Sequence, residues 1–367
     1  MKNFNPLSIL KRLLIALLFV GSFNYSYAQV DVAATAGTPI GNYPTLKGAF
    51  DAINAGTHQG DIAISISANT TETASAVLNS SGAGSALYTN IGISPSVDGV
   101  TISGSTTTGR GLIELKGADN VTINVDNPLT PGTNRNLTIT NTATSTTTLT
   151  SVIRIANAAT VVTSSDNISI LNCILNGSAT GRNIASATST TASENNTFVI
   201  FAGGNGGTTA IDSPTALTSV TSNTAVTGTT INNLIVSNNQ INAAARAIVF
   251  NGAVAGVSSN VTITQKTMGD QTVLTGIPPY TAPTTTIYTK GIFVSGTTNL
   301  TVSNNSINNI LSFVGTTMNA IELNSAIGTG AGVVTISNNT IKGVVNQGSS
   351  SANGIILSSC TVPYSIS

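Results

Sequence analysis

Charge is what this chain most lacks. Of 367 residues, 13 are basic and 13 acidic, so ionisable side chains make up 7% and the formal net charge is zero, against about 25% charged residues in an average soluble domain. So thin a supply of cations argues against nucleic acid as a partner, because a run of phosphates would go unneutralised. His58 is the only histidine, which argues against zinc sites and leaves any Ser-His-Asp relay dependent on that one residue. Trp is absent and aromatic residues reach 4%, so stacking platforms for sugar rings are scarce. Two cysteines, Cys173 and Cys360, are too few for a disulfide framework. Cys173 sits in Ile170-Leu-Asn-Cys-Ile-Leu175, where a small apolar side chain on a strand explains it, and both are expected as buried free thiols.

Hydrophobic residues make up 40% of the chain and recur in strand-length blocks, which excludes disorder in spite of the Ser, Thr, Asn and Gly content. The N-terminus carries Lys2, Lys11 and Arg12, then an apolar run from Leu13 to Val20, then Ser26-Tyr27-Ala28. A short apolar core followed by small residues describes a secretory signal over 1–28, cleaved after Ala28. A membrane anchor needs about 20 apolar residues. The expected location is therefore secreted or at the cell surface, with no membrane insertion after signal removal.

What the chain has in quantity is one phrase: β-formers in alternation, an Asn pair, then an apolar residue. It reads Asn233-Leu-Ile-Val-Ser-Asn-Asn-Gln-Ile241, Asn299-Leu-Thr-Val-Ser-Asn-Asn-Ser-Ile307 and Val333-Val-Thr-Ile-Ser-Asn-Asn-Thr-Ile341. A unit that cannot bury its own apolar face must stack on copies of itself, which predicts a β-solenoid. Strand candidates come in two kinds. One opens on a small residue, as in Gly111-Leu-Ile-Glu-Leu115, Val152-Ile-Arg-Ile155, Ala320-Ile-Glu-Leu323 and Gly354-Ile-Ile-Leu357; the other opens on Asn, as in Asn120-Val-Thr-Ile123 and Asn167-Ile-Ser-Ile170. Alternation puts Val121 and Ile123 on one face and Thr122 on the other.

Matching phrases lie 34 residues apart from Asn304 to Asn338, and 66 apart from Asn172 to Asn238 and from Asn238 to Asn304. Hairpins cannot span such gaps, so equivalent strands stack in parallel. The 66-residue gaps hold either two coils or one coil with a long excursion, and a mixture is expected. Runs at 142–150, 183–197, 207–230 and 265–289 read as loops. Roughly eight coils at about 4.8 Å each give a rod on the order of 40 Å long. Before the coils, Leu46, Ala49, Phe50 and Ile53 follow helical spacing between Thr45 and Gly56, and Asp61-Ile-Ala-Ile-Ser-Ile66 alternates as the first strand. A short helix there would cover the open apolar end of the solenoid. The predicted organisation is a signal (1–28), an N-terminal segment with a capping α-helix (29–60) and an all-β solenoid (61–367).

The helix-then-strand opening, Gly-Ala-Asp-Asn-Val-Thr-Ile at 117–123 and the Ser-Asn-Asn-x-Ile turns resemble single-stranded right-handed parallel β-helices of the pectin-lyase-like superfamily. Tyr43-Pro-Thr-Leu through Asp61-Ile-Ala-Ile, followed by Asn69-Thr-Thr-Glu72, is similar to the N-terminal part of secreted β-helix surface proteins of Bacteroidetes. The resemblance covers about residues 40–357 and implies right-handed coiling. It leaves activity open, because that superfamily includes polysaccharide lyases, hydrolases and adhesins. It also implies that further modules and a sorting domain follow, so the chain is expected to be truncated at its C-terminus, where Gly354-Ile-Ile-Leu357 leaves an Asn-led strand due.

Hydrolysis of a polysaccharide needs two carboxylates on neighbouring coils. The acids of the repeat region are Glu114, Asp119, Asp126, Asp166, Glu194, Asp212, Asp270 and Glu322. Glu114 and Glu322 occupy one slot of the small-residue phrase, which Arg154 takes in another copy, and they read as a solvated strand face. Asp119 and Asp166 each precede a strand-opening Asn and read as turn acceptors. Lyase chemistry needs a calcium site of several carboxylates, and no Asp-x-Asp cluster occurs. His58, in Gly56-Thr-His-Gln-Gly60, reads as a loop residue. Asn238, Asn304 and Asn338 read as turn residues, with a sugar-binding ridge as the alternative. The sequons at Asn120, Asn136, Asn260 and Asn299 follow from the strand phrase itself. Tyr280 and Tyr288 are the nearest candidates for sugar stacking. No catalytic, cofactor or metal residue is assigned. The expected role is a structural or adhesive β-helix module with extracellular polysaccharide or a cell-surface glycan as partner; the alternative is a polysaccharide lyase, glycoside hydrolase or glycan-binding domain.

Overall fold

The computed structural model describes residues 28–107, 109–144, 149–157, 163–178, 197–205, 217, 230–252, 258–271, 285–312, 317–324, 332–346, 350–358, 360 and 363–367. Over these residues the chain winds as a parallel β-helix. Each coil contributes a strand to each of three sheets, here called A, B and C, of eleven, eight and eight strands. Successive coils pair in parallel: in sheet A, Val121–Asn124 lies beside Ile168–Leu171, and Val261–Thr264 beside Leu300–Ser303 and then Val334–Ser337. Eight strands at about 4.8 Å give the rod length expected from the repeat count.

Alternation in the strand phrase explains why the coils stack. Ile64, Ile93, Ile123, Ile170, Val236, Ile263, Val302 and Ile336 form one continuous inward column in register, each 2% exposed or less. Every such side chain contributes about 1.5–3 kcal/mol of burial, and none can be buried without the coil above and below. The intervening Thr122, Ser169, Thr262, Thr301 and Thr335 are only partly covered on the outer face.

The two 66-residue gaps resolve differently, as a mixture requires. Asn238 bonds directly to Asn172, so that gap is one coil with a long excursion. Between Asn238 and Asn304 an extra coil intervenes, its sheet A strand being Val261–Thr264.

At the N-terminal end, helix α1 (Leu46–Asn54) turns Leu46, Ala49, Phe50 and Ile53 onto the open core, all fully buried. Thr45 caps it by accepting from the Gly48 amide at 3.0 Å. A second cap comes from the solenoid: both carboxylate oxygens of buried Glu72 accept from Leu46 and Lys47 N–H groups at 2.9 Å. This ties the plug to the first coil and places a negative charge at the positive end of the helix.

Several expectations need correction. Asp61–Ile66 is not the first strand: an antiparallel hairpin, Val30–Gly37 with Ile40–Tyr43, precedes it and pairs with His58–Ile66. His58 is consequently a strand residue, fully buried, with Nδ1 2.7 Å from the Thr38 carbonyl and Nε2 2.7 Å from the Tyr43 hydroxyl. The runs 142–150 and 265–289 are loops only in part. Thr150 opens a sheet C strand, Thr267–Met268 belongs to sheet B, and Ile287 opens another sheet C strand. The strand due after Gly354–Leu357 is present as Tyr364–Ile366, paired with Val334–Ile336 but without a leading Asn. Residues 1–27 of the expected signal, and nearly all of 183–197 and 207–230, lie outside the described residues. Among the described residues no helix is long and apolar enough to cross a membrane.

Candidate functional site

The Asn pairs divide their work. The first member adopts left-handed backbone: φ is 51° at Asn238, 56° at Asn304 and 54° at Asn338, as it is (60°) at Asn172, whose partner position is Cys173, a conformation Asn tolerates. The second member points inward and staples its coil to the one before. Asn239 accepts from the Cys173 amide at 2.7 Å and donates to the Ile170 carbonyl at 2.9 Å. Asn305 accepts from the Lys266 amide and donates to the Ile263 carbonyl, both at 3.1 Å, and to Asn339 at 2.8 Å. Asn339 repeats the pattern on Asn305 and Val302. A corner that would strand backbone groups is thereby satisfied from within.

A second amide ladder runs outside, along the corner that leads into sheet A. Asn167 donates to Asn120, Asn233 to Asn167, Asn260 to Asn233 and Asn299 to Asn260, at 2.8–3.1 Å. The sequon residues Asn120, Asn260 and Asn299 thus commit their amides to neighbouring coils; Asn136 accepts from the Asn127 amide. The same is true of Asn238, whose side chain bonds Asn172 and accepts from Arg135.

Asp119 and Asp166 form a carboxylate ladder. Asp119 accepts from the Asp166 amide, and Asp166 from the Asn232 amide, each at 2.7 Å. Both act as turn acceptors, as their positions suggested, but for the next coil rather than their own turn. Burial, with the Asp166 charge adding to it and the Asp166 N–H opposing it, pushes the Asp119 carboxyl up to about 6. Asp126 accepts from the Asn134 amide and Asp270 from the Thr285 hydroxyl; Glu194, Asp212 and Tyr280 lie outside the described residues.

The solvated-face reading of Glu114 and Glu322 is wrong, although their common slot is real. The sheet C register runs Glu114, Arg154, Phe201, Val249, Phe293, Glu322. Glu114 and Arg154 are fully buried. Glu114 accepts from Nε and Nη2 of Arg110 and from the Gly111 amide, with Arg154 at 3.7 Å. Glu322 pairs with Lys290 and Asn319. Leu149, Phe198, Phe201, Leu217, Val249 and Phe293 form a second apolar cluster on this outer face. Alternation alone could not reveal it, because two of its members, Leu149 and Leu217, come from outside the strands. Desolvation lowers Arg154 to about 10. Tyr288 is also no surface platform: it lies in the strand Ile287–Ser295 and is 7% exposed.

Sequence reasoning missed one coil corner. Gln265-Lys266 stands where the Asn pair is expected; Gln265 still adopts φ 55°, and buried Lys266 donates to the Thr264 carbonyl at 2.6 Å. The flanking Val-Thr-Ile-Thr and Thr-Met were the available signal. Cys173 and Cys360 are free thiols, Cys173 buried as expected but Cys360 only half-buried near the end of the solenoid, and burial pushes Cys173 up to about 12. Among the described residues, no three His, Cys, Asp or Glu side chains group closely enough to hold a metal ion.

No protein-family model matches the chain. No curated protein matches it. Among solved structures, the Streptococcus pneumoniae surface protein and adhesin PfbA aligns with 88% of this chain and 93% of that one, at 10% identity and a TM-score of 0.28. So loose a superposition carries no argument about activity, and the fold rests on the strand pairing described above.

Proposed function

We propose that this chain is a secreted or cell-surface β-helix acting as a structural or adhesive module, with extracellular polysaccharide or a cell-surface glycan as its partner. The observation that carries this reading is how the polar side chains of the described coils are used. Amide and carboxylate ladders join coil to coil along the axis, which suits a stiff rod. The two acids that share a strand slot are five strand steps apart, about 24 Å, whereas paired glycosidase carboxylates stand about 5–9.5 Å apart. The signal-like N-terminus supports export. The test is to incubate the purified mature protein with a broad polysaccharide panel, measuring retention on each polymer and release of reducing or unsaturated ends. Retention without cleavage is expected; cleavage would overturn the module reading.

One observation favours a second reading, a polysaccharide-active enzyme. Asp119 and Asp166 sit on adjacent coils and one has a raised pKa, the asymmetry that acid-base hydrolysis exploits. Under this reading Asp119→Asn abolishes any cleavage while leaving retention intact.

A further inference from the structure

Beside helix α1 lies a polar cleft of about 270 Å³ whose lining includes Lys47, Asp51, Asn54, Ser75, Asn79 and Arg110. We infer that this cleft is a binding site for one neutral sugar unit. The inference rests on the glycan partner proposed above and adds where one ring of it would sit.

The helix supplies one wall. Lys47, Asp51 and Asn54 fall at i, i+4 and i+7 and so share one face of α1. The opposite wall is the outer side of the first sheet C strand, Ala76–Asn79, with Arg110 at the start of the next. The two walls are fixed to each other: Asn54 donates to the Val77 carbonyl at 2.8 Å and accepts from the Asn79 amide at 2.9 Å. Glu72 anchors the helix N-terminus, so the cleft is preorganised rather than formed by a movable flap.

Its charges are already paired. Lys47 meets Asp51 at 2.5 Å, and both Glu114 oxygens take the Arg110 Nε at 3.0 Å. An anionic ligand would have to compete with these carboxylates. What is left over is neutral hydrogen-bonding capacity. Asn79 is 7% exposed and Ser75 9%, yet neither side chain bonds to another described residue; the backbone groups of Asn79 are taken by Asn54 and Tyr88. The primary amide of Asn79 and the hydroxyl of Ser75, on residues more than nine-tenths buried, match a ligand in which donors and acceptors alternate around a small ring. Sugar hydroxyls have that property. The volume, equal to about nine waters, admits one pyranose. Among the described residues no aromatic ring lines the cleft, so binding is expected in the millimolar range.

The test is NMR on the full mature chain, following backbone and Asn side-chain amides during titration with D-glucose, D-galactose, D-mannose, N-acetyl-D-glucosamine and sodium D-galacturonate. At least one neutral sugar should shift the Asn79 side-chain amide and the 105–107 backbone saturably. Asn79→Leu should weaken that binding at least tenfold, and Ser75→Ala several-fold. Ser75→Ala removes one oxygen and keeps the test valid should Asn79→Leu melt early. Galacturonate binding in preference to every neutral sugar would overturn the ligand class. Shifts confined to another surface would overturn the site while leaving the glycan partner in place. No shift in the cleft with any sugar means ordered water only and overturns the inference. If the polysaccharide panel is negative as well, the partner reading falls too.

Discussion

The outer faces of sheets A and C are built from the same repeat, paired in the same parallel register, and end up in opposite environments. On sheet A the outward slots hold Thr122, Ser169, Ile235, Thr262, Thr301 and Thr335, all at least partly exposed and without a charge. On sheet C they hold Glu114, Arg154, Phe201, Val249, Phe293 and Glu322, the first five at most 5% exposed. The difference shows that a solenoid strand is defined by its inward residues alone. Its outward residues report what lies over the sheet, and on sheet C they include ion pairs removed from water, which hold only when each charge keeps its partner.

That contrast predicts a graded response to substitution. The largest effect is expected on sheet C: Phe201→Ala and Glu114→Ala should each cost about 3–5 kcal/mol, the first by opening a cavity and the second by stranding buried Arg154. Thr301→Val and Asp61→Ala on sheet A should stay within about 0.5–1 kcal/mol. Urea unfolding measures all four, and equal costs on the two faces would break the comparison. The next effect separates the two Asn ladders. Asn305→Ala leaves the Lys266 amide and Ile263 carbonyl buried without their partner, costing about 2–4 kcal/mol, whereas exposed Asn299→Ala should cost about 0.5 kcal/mol. Matching values would mean that the inner staple is dispensable.

The last effect is electrostatic and is weakened by solvent, because Asp119 is only half-buried. Asp119 titrates at about 6 in the folded chain against 3.8 for a free aspartate. Between these values the folded state holds a proton that the unfolded state has lost, so stability falls as pH rises from about 4 to about 6 and is level above that. Asp119→Asn should flatten this segment of the melting-temperature profile and raise the melting temperature at pH 7. A profile unchanged by the substitution would show that Asp119 is not the group responsible.

The inner core was legible because burial imposes a strict period of two on Val-Thr-Ile and its relatives, and the Asn pairs because left-handed backbone restricts residue choice. The cap helix was legible from Leu46, Ala49, Phe50 and Ile53. Its hairpin was not, since Ile40–Tyr43 buries no residue fully, its positions alternating only between exposed and half-buried. The coil strand at Val261–Thr264 was legible from Asn260-Val-Thr-Ile263, but its corner at Gln265-Lys266 was hidden because backbone geometry there is kept by a residue outside the expected set. The candidate sites were the least legible. Glu114 shares a slot with Glu322 in sequence, but its burial comes with the charges of Arg110 and, one coil on, Arg154, a pairing that the strand phrase does not reveal. Ser75 and Asn79 carry no motif at all; their significance comes from the helix packed beside them.

The most direct test of parallel stacking is a pair of distances by pulsed electron paramagnetic resonance, in a background of Cys173→Ala and Cys360→Ser. Spin labels at Thr122 and Thr335, five register steps apart in sheet A, should lie about 24 Å from each other, and labels at Ala63 and Thr335, seven steps apart, about 34 Å. Distances that grow by about 4.8 Å per coil are the predicted result. A longer pair no farther apart than the shorter one would contradict the stacked-coil account.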